Sequence, residues 1–230
     1  MMQPMNFVMS YSCGKDSALA LYRMISKGHK PIGLLVMVNQ EQNRSWFHGV
    51  SRELLEAVSR SMNIPLLACS CRGEDYNAAM EEGLRHAKKL GAAAAAFGDI
   101  DIEDHRTWCS ERSAAAELQP LFPLWRESRL ALTQEVIDRG FKAMIKCVEK
   151  SKTDPKLLGQ TLTTALVEQI VAGGADACGE NGEYHTFVYD GPTFSYPLPI
   201  EIGAALDFGT HAAIDIKLGP ALDFRDTTRY

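Results

Sequence analysis

The sequence lacks the features that mark membrane, secreted and nucleic-acid-binding proteins. No apolar run approaches the roughly 20 residues of a membrane span, and the start of the chain has no basic segment followed by a long apolar stretch, so we expect no secretory signal. The six cysteines are scattered without a C-x-x-C pair, which argues against a disulfide framework and favours a cytoplasmic location. The formal net charge of −5 argues against a broad nucleic-acid surface.

Apolar runs alternate with helix-forming segments through the first half of the chain. Residues 7–9, 31–38, 64–68 and 92–97 are predicted as strands, and the segments 18–25, 51–62 and 75–90 as helices. This alternation predicts an α/β fold with a doubly wound parallel sheet. Ligands of such sheets bind beyond the carboxyl ends of the strands, where the loops 10–17, 39–48 and 98–106 are expected to lie.

The loop from Ser10 to Ser17 combines groups that bind phosphate. It reads SYSCGKDS and joins a predicted strand to a predicted helix, so the free N–H groups at the helix start form an anion site. Gly14 allows close approach of the backbone, Lys15 adds a charge, and Ser12 adds a hydroxyl. The alternative is a turn that only caps the helix.

This loop is not a Walker loop, because Met9 stands where that motif needs glycine and Asp16 where it needs Ser or Thr. It resembles instead the PP-loop S-G-G-K-D-S of ATP pyrophosphatases, with Cys13 in place of the first glycine. If that position needs a positive φ, the loop must differ slightly. The thiol is either a small packing group or a thiolate activated by the helix N-terminus.

A second polar cluster, GENGEYHT, extends from Gly179 to Thr186. It places two carboxylates, an imidazole, a phenol and a hydroxyl around two glycines. The alternative to a functional site is a hairpin turn with solvated acids.

These two motifs together resemble the diphthine–ammonia ligase family of PP-loop pyrophosphatases, which carries an E-x-G-E-Y-H-T segment near its end. The Gly98-Asp99-Ile100 segment, the pair His105-Arg106 and the block 122–125 are similar to family motifs too. The resemblance implies an adenine-nucleotide alpha-hydrolase-like fold. We expect a PP-loop ATP-binding domain over residues 1–125, a smaller α+β substrate domain over 126–218, and a flexible tail over 219–230.

The resemblance implies an ATP-dependent ligase that adenylates a carboxylate, releases pyrophosphate and transfers ammonia to the acyl group. ATP and Mg²⁺ are the implied cofactors, with Asp16 holding the metal. The implied catalytic residues are Lys15, Asp16, Glu180, Glu183 and His185, with no division of roles among the last three. The expected ATP-binding residues are Ser10, Ser12, Cys13, Gly14, Lys15, Asp16, Ser17, Asn39, His48, Gly98, Asp99 and Arg106. The expected substrate-binding residues are Gly182, Tyr184 and Thr186.

Other functions stay open at this stage. One is a PP-loop tRNA-modifying enzyme, and another is a non-catalytic adenine-nucleotide sensor. His48 is as compatible with a solvated loop as with a ligand contact. The acceptor is expected to be the diphthine of elongation factor 2 in an archaeal or eukaryotic protein, and a small carboxylate in a bacterial one. A homodimer stays open, and neither a membrane nor nucleic acid is expected as a partner.

Overall fold

The computed structural model describes residues 3–220, which form two sheets with helices packed on them. The first sheet contains β1 (Asn6–Ser10), β2 (Lys30–Asn39), β3 (Arg44–Ser45), β4 (Leu66–Cys71), β5 (Ala94–Ala96) and β6 (Gln119–Leu121). Its helices are α1 (Lys15–Ser26), α2 (Arg52–Met62), α3 (Tyr76–Lys89) and α4 (Glu103–Ala115). All pairs in this sheet are parallel except the one between β2 and the short β3. The predicted parallel α/β sheet is confirmed.

The strand order creates a switch point next to β1. The chain passes from β1 to β2 and then to β4 on one side, and then crosses to β5 and β6 on the other side. The loops that follow β1 and β5 therefore leave the sheet in opposite directions and open a crevice between them. The predicted phosphate loop lies at this crevice.

Local sequence explains where these elements begin and end. In α2 the Ser51 hydroxyl caps the helix by accepting the Leu54 N–H, and Asn63 ends it in the left-handed conformation. The strand expected at 64–68 begins only at Leu66, since Pro65 precedes it, and continues to Cys71. The alanine run forms a fully buried central strand. The helix α4 and the strand β6 were not predicted.

The second sheet is antiparallel, with the order β8-β7-β10-β9. Its elements are α5 (Arg129–Asp138), β7 (Lys142–Glu149), α6 (Thr164–Ala172), β8 (Tyr184–Asp190), β9 (Ile200–Asp207) and β10 (His211–Leu218). In the sequence, the segments 141–148 and 213–218 are predicted as strands and the segments 133–139 and 161–171 as helices, which correspond to β7, β10, α5 and α6. Strands β8 and β9 were not predicted. The smaller α+β unit is confirmed.

The strand β8 joins the two halves. It packs against α1, and its Val188 N–H donates to the carbonyl of Cys13 at 2.8 Å. A single hydrophobic cluster includes Leu19 of α1 as well as Phe187 of β8. The boundary at residue 125 stays a prediction, and residues 221–230 of the expected tail lie outside the described residues. No helix within residues 3–220 is long and apolar enough to cross a bilayer.

Candidate active site

One cavity of about 590 Å³ lies where the carboxyl ends of β1, β2 and β5 meet the start of β8. Its volume is in the range of cofactor and substrate pockets. The predicted site residues that line it are Ser10, Ser12, Lys15, Asp16, Ser17, His48, Gly98, Asp99, Glu180, Gly182, Tyr184, His185 and Thr186. Segments more than 160 residues apart in the chain therefore line the same space.

The phosphate loop closes on itself and leaves helix N–H groups open. The Ser17 hydroxyl donates to the Gly14 carbonyl at 2.9 Å and accepts the Ser12 N–H at 3.3 Å. The helix begins at Lys15, without a side-chain cap. The backbone N–H groups of Asp16 and Ser17 have no partner within residues 3–220. These N–H groups and the helix dipole can attract an anion, and phosphate binding at this loop stays a prediction.

Cys13 keeps the backbone conformation that glycine adopts easily. Its φ is +66°, in the left-handed region, and its side chain is buried. Burial raises the pKa of the Cys13 thiol well above its usual range. The thiol therefore packs as a small apolar group, and the loop carries the cost of a left-handed non-glycine residue.

Two glycines allow close contacts around the loop. A Cβ atom on Gly98 would lie 2.8 Å from the Ser17 nitrogen and 2.9 Å from the Asp16 carbonyl carbon. A Cβ atom on Gly14 would lie 2.7 Å from Cε1 of His48. Gly98 thus lets the loop after β5 approach the start of α1, and Gly14 makes room for His48.

Lys15 connects the phosphate loop to the second polar segment. Its Nζ lies 2.8 Å from Oδ2 of Asp16, donates to the Cys178 carbonyl at 2.5 Å, and lies 5.6 Å from the centre of the Tyr184 ring. Its backbone N–H donates to the Thr186 hydroxyl at 3.0 Å. Burial alone would lower the pKa of Lys15, but Asp16 raises it above its usual range. The lysine is therefore a permanent cation at the cavity wall.

Glu180 is the carboxyl group of the second segment that enters the cavity. Burial, and next the charge of Asp16, raise the pKa of Glu180 to about 7. A carboxyl group with a pKa near neutrality can both take up and release a proton during a reaction cycle.

Glu183 does not line this cavity. Its buried carboxylate accepts the N–H groups of Asn181 at 2.9 Å and Asp176 at 3.3 Å, and the Asn181 side-chain amide at 3.1 Å. This carboxylate folds the loop that carries Glu180. The structure thus separates the two glutamates that the sequence alone could not distinguish.

The cavity wall also holds two neighbouring imidazoles. The rings of His48 and His185 lie 5.0 Å apart, and Nδ1 of His48 lies 3.0 Å from the Thr186 carbonyl. Because a carbonyl only accepts hydrogen bonds, Nδ1 carries the proton and Nε2 carries the lone pair. Burial, and next the proximity of His185, lower the pKa of His48 to about 3. Burial, and next the charge of Lys15, lower the pKa of His185.

Four residues expected to bind ATP do not line the cavity, namely Cys13, Gly14, Asn39 and Arg106. The Asn39 side chain accepts the N–H groups of Glu41 and Gln42 and so shapes the turn after β2. The Arg106 guanidinium lies over the Trp125 ring, 4.8 Å from its centre. Cys13 and Gly14 belong to the phosphate loop and fix its backbone conformation without lining the cavity.

The sequence did not predict the aromatic wall of the cavity, which consists of Trp46, Phe47, Tyr76 and Trp108. Trp46, Phe47 and Trp108 each place a ring about 6 Å from that of Tyr76. Phe47 is 76% exposed and has a φ of +64°, a costly conformation for a bulky residue. The Trp46-Phe47 pair lies in a loop after a predicted strand, so the sequence could have indicated its part of the aromatic wall. Tyr76 and Trp108 belong to α3 and α4, and only the packing of these helices brings their rings to the wall.

Two family models match this chain. The model of the diphthamide synthase N-terminal domain matches residues 5–116, and that of the diphthamide synthase C-terminal domain matches residues 128–220. Diphthine–ammonia ligase of Danio rerio is 27% identical over 214 residues, which are 83% of this chain and 84% of that protein. The Homo sapiens protein of the same name is 27% identical over 215 residues, 83% of this chain and 80% of that protein.

Among solved structures, a predicted subunit of tRNA methyltransferase from Methanocaldococcus jannaschii is 14% identical, with a TM-score of 0.46, over 82% of this chain and 98% of that chain. This structural similarity is too low to support a conclusion. The two family models, in contrast, match defined segments of the chain. The first model spans the phosphate loop and the second spans the Glu180 segment. The chain belongs to the diphthamide synthase family.

Proposed function

We propose that the protein is an ATP-dependent carboxylate–ammonia ligase that forms AMP and pyrophosphate. One observation carries this proposal: the open N-terminus of α1 and the Glu180–Thr186 segment line the same cavity. A pyrophosphate-releasing step and an amide-forming step must share one intermediate, so their residues must lie in one space. Family membership supports ammonia ligation over tRNA modification and over nucleotide sensing.

In the first step, an oxygen of the acceptor carboxylate attacks the α-phosphorus of ATP, and the bond to pyrophosphate breaks. The negative charge that develops on pyrophosphate is stabilised by the free N–H groups of Asp16 and Ser17 and by the ammonium group of Lys15. Lys15 must exchange its contact with Asp16 or with the Cys178 carbonyl for a phosphate oxygen. The aromatic wall provides flat apolar surface for the adenine ring.

The residues of the cavity fit a magnesium ion. Asp16, Asp99 and Glu180 contribute carboxylates to one wall, and carboxylate oxygen is the ligand type that Mg²⁺ prefers. Within residues 3–220 no set of three or more acidic, histidine or cysteine side chains is arranged to hold a metal alone. This suits Mg²⁺, which keeps several waters and binds phosphate oxygens. Asp16 would hold the ion, which supplies charge neutralisation on the phosphates when bound.

In the second step, ammonium gives one proton to the Glu180 carboxylate and becomes ammonia. The ammonia nitrogen attacks the acyl carbon, and the nitrogen of the tetrahedral intermediate passes its extra proton to a second base. The C–O bond to AMP then breaks as AMP leaves with the electron pair, and the neutral amide remains. Glu180 suits this role because, with a pKa of about 7, about half of the carboxyl groups are ionised in neutral solution and can take up a proton. Glu183 acts indirectly by folding the Glu180 loop.

The acceptor is proposed on the names of the relatives, which are diphthine–ammonia ligases. In an archaeal or eukaryotic host the substrate would be diphthine in elongation factor 2, and in a bacterial host a small carboxylate. The ATP and Mg²⁺ requirement and the cytoplasmic location belong to this same proposal. A homodimer stays a prediction.

The test is ATP/pyrophosphate exchange combined with ¹⁵N-ammonium incorporation, measured across diphthine-bearing elongation factor 2 and a panel of small carboxylates. We expect exchange that depends on one acceptor and on Mg²⁺, and ¹⁵N in the product only when ammonium is present. Full exchange in chelator would remove the metal from the proposal. ATP turnover that never depends on a carboxylate, with no ¹⁵N in any acceptor, would refute the ligase function.

A further inference from the structure

Lys146 is a buried cation that the proposed reaction does not yet use. Only 6% of this residue is exposed. Among residues 3–220 its ammonium group has neither a hydrogen bond nor an ion pair. The ammonium nitrogen keeps a small contact with solvent, which makes a cation without a protein partner tolerable here. A lysine held in this way beside a cavity is a candidate for a role at a functional site.

The position of Lys146 in β7 places it next to residues that line the cavity, although Lys146 does not line the cavity itself. Ile145 pairs with Thr186 and Cys147 pairs with His185, so Lys146 is the extra residue of a β-bulge opposite two cavity residues. Bulges next to active sites often re-aim a side chain. A Cβ atom on Gly49 would lie 3.6 Å from Nζ of Lys146. The ammonium group therefore lies beside the loop that carries His48.

The groups around Lys146 leave its charge uncompensated. The neighbouring carboxylate is Asp215, and this group is paired with Arg44 at 3.1 Å. Arg44 is itself a second cation near Lys146, and Cys147 is the other titratable neighbour. Burial, and next the charge of Arg44, lower the pKa of Lys146.

Both imidazoles lie near enough to Lys146 for its charge to act on them, in addition to the larger effect of their own burial. The charged or titratable groups facing His185 are Lys15, Asp16, His211 and Lys146, and His48 also faces Lys15 and Lys146. The ring nitrogens of His185 have no hydrogen-bond partner within residues 3–220. An uncharged His185 therefore presents a free lone pair at the cavity wall.

We propose that Lys146 is a positioning residue, whose charge adds to that of Lys15 in keeping His185 neutral so that His185 can accept a proton during amide formation. This inference rests on the proposed function. Ammonium loses its first proton to Glu180. After the C–N bond forms, the nitrogen of the tetrahedral intermediate carries a positive charge, and its extra proton passes to the lone pair of His185. The C–O bond to AMP then breaks, and the amide remains. A histidine that was already protonated could not take this second proton.

The test is an NMR titration of the histidine side chains in the complete protein without nucleotide. Removing one neighbouring cation should raise the pKa of His185 by about 0.5–1 unit in Lys146→Met. Lys146→Arg should titrate like the wild type, because it keeps the charge. Lys142→Met removes an exposed lysine from the same strand and is the matched control, with no shift expected. If Lys146→Met does not fold, Lys146→Gln replaces it.

An unchanged His185 titration in the Lys146→Met variant would overturn the proposal. An equal shift in Lys146→Arg would also overturn it, because packing rather than charge would then be the cause. The titration needs no turnover, so its result stands even if the ligase function fails. If amide formation is detected, the acidic limb of the kcat/KM profile should move upward in Lys146→Met and return in Lys146→Arg.

Discussion

Replacing Glu180 by glutamine should make the protein more stable in alkaline solution while it removes activity. The wild-type carboxyl has a pKa of about 7 in the folded protein, against an ordinary value of 4.5. Because the folded pKa is the higher one, ionisation costs folding free energy above pH 7, and no cost exists below about pH 4, where both states are protonated. Glutamine keeps the shape and never ionises.

The size of the effect follows from the shift. A rise of about 2.5 units in the pKa of Glu180 corresponds to roughly 3.4 kcal/mol of folding free energy once the carboxyl is ionised in both states. Solvent reaches this half-buried carboxyl and screens its interactions, so we expect about 1–2 kcal/mol. The stability of Glu180→Gln relative to wild type should increase as the pH rises from about 4.5 to 7 and stay constant at higher pH.

The assay is urea unfolding of wild type and Glu180→Gln at pH 5 and pH 8, without nucleotide or metal. The stability gain of the variant should be larger at pH 8 by about 1–2 kcal/mol, and amide formation should fall about 10²–10⁴-fold. Glu183→Gln is the control with the opposite sign. It weakens three hydrogen bonds to a buried carboxylate and should lose about 1–3 kcal/mol at pH 8. An equal gain for Glu180→Gln at both pH values would refute the reasoning.

Three further variants test the phosphate loop. Lys15→Ala should reduce ATP/pyrophosphate exchange at least ~100-fold, since it removes a donor from the developing charge, and retained exchange would contradict the phosphate role. Gly98→Ala places a Cβ atom 2.8 Å from the Ser17 nitrogen. Calorimetry should therefore show about tenfold weaker ATP binding, a loss of about 1.4 kcal/mol. The control Gly73→Ala should bind ATP normally, because the nearest atom to its Cβ would be 3.7 Å away. Cys13→Gly should be about 1 kcal/mol more stable in urea than Cys13→Ala, because only glycine relieves the left-handed strain; the reverse order would refute the strain.

Most of the parallel half of the fold was predictable because its strands are continuous apolar runs and its first three helices carry apolar residues at helical spacing. The same signals were weak elsewhere. Strand β9 has mostly exposed residues, so it shows little of the alternation that identifies a half-buried strand. Helix α4 buries only Cys109 and Ser113 among its 13 residues, and its apolar periodicity is correspondingly faint.

For the candidate site, the sequence by itself determined the chemistry of the phosphate loop and of the GENGEYHT segment, because each is contiguous and its residue types are specific. Only the tertiary structure decided which groups of those segments enter the cavity. It turns Glu180 inward and Glu183 onto loop N–H groups, and it brings Tyr76 and Trp108 to the aromatic wall. The physical reason is that side-chain direction depends on loop conformation and strand register. Burial and neighbouring charges, which set the pKa values of Glu180 and His185, likewise arise only when distant segments pack together.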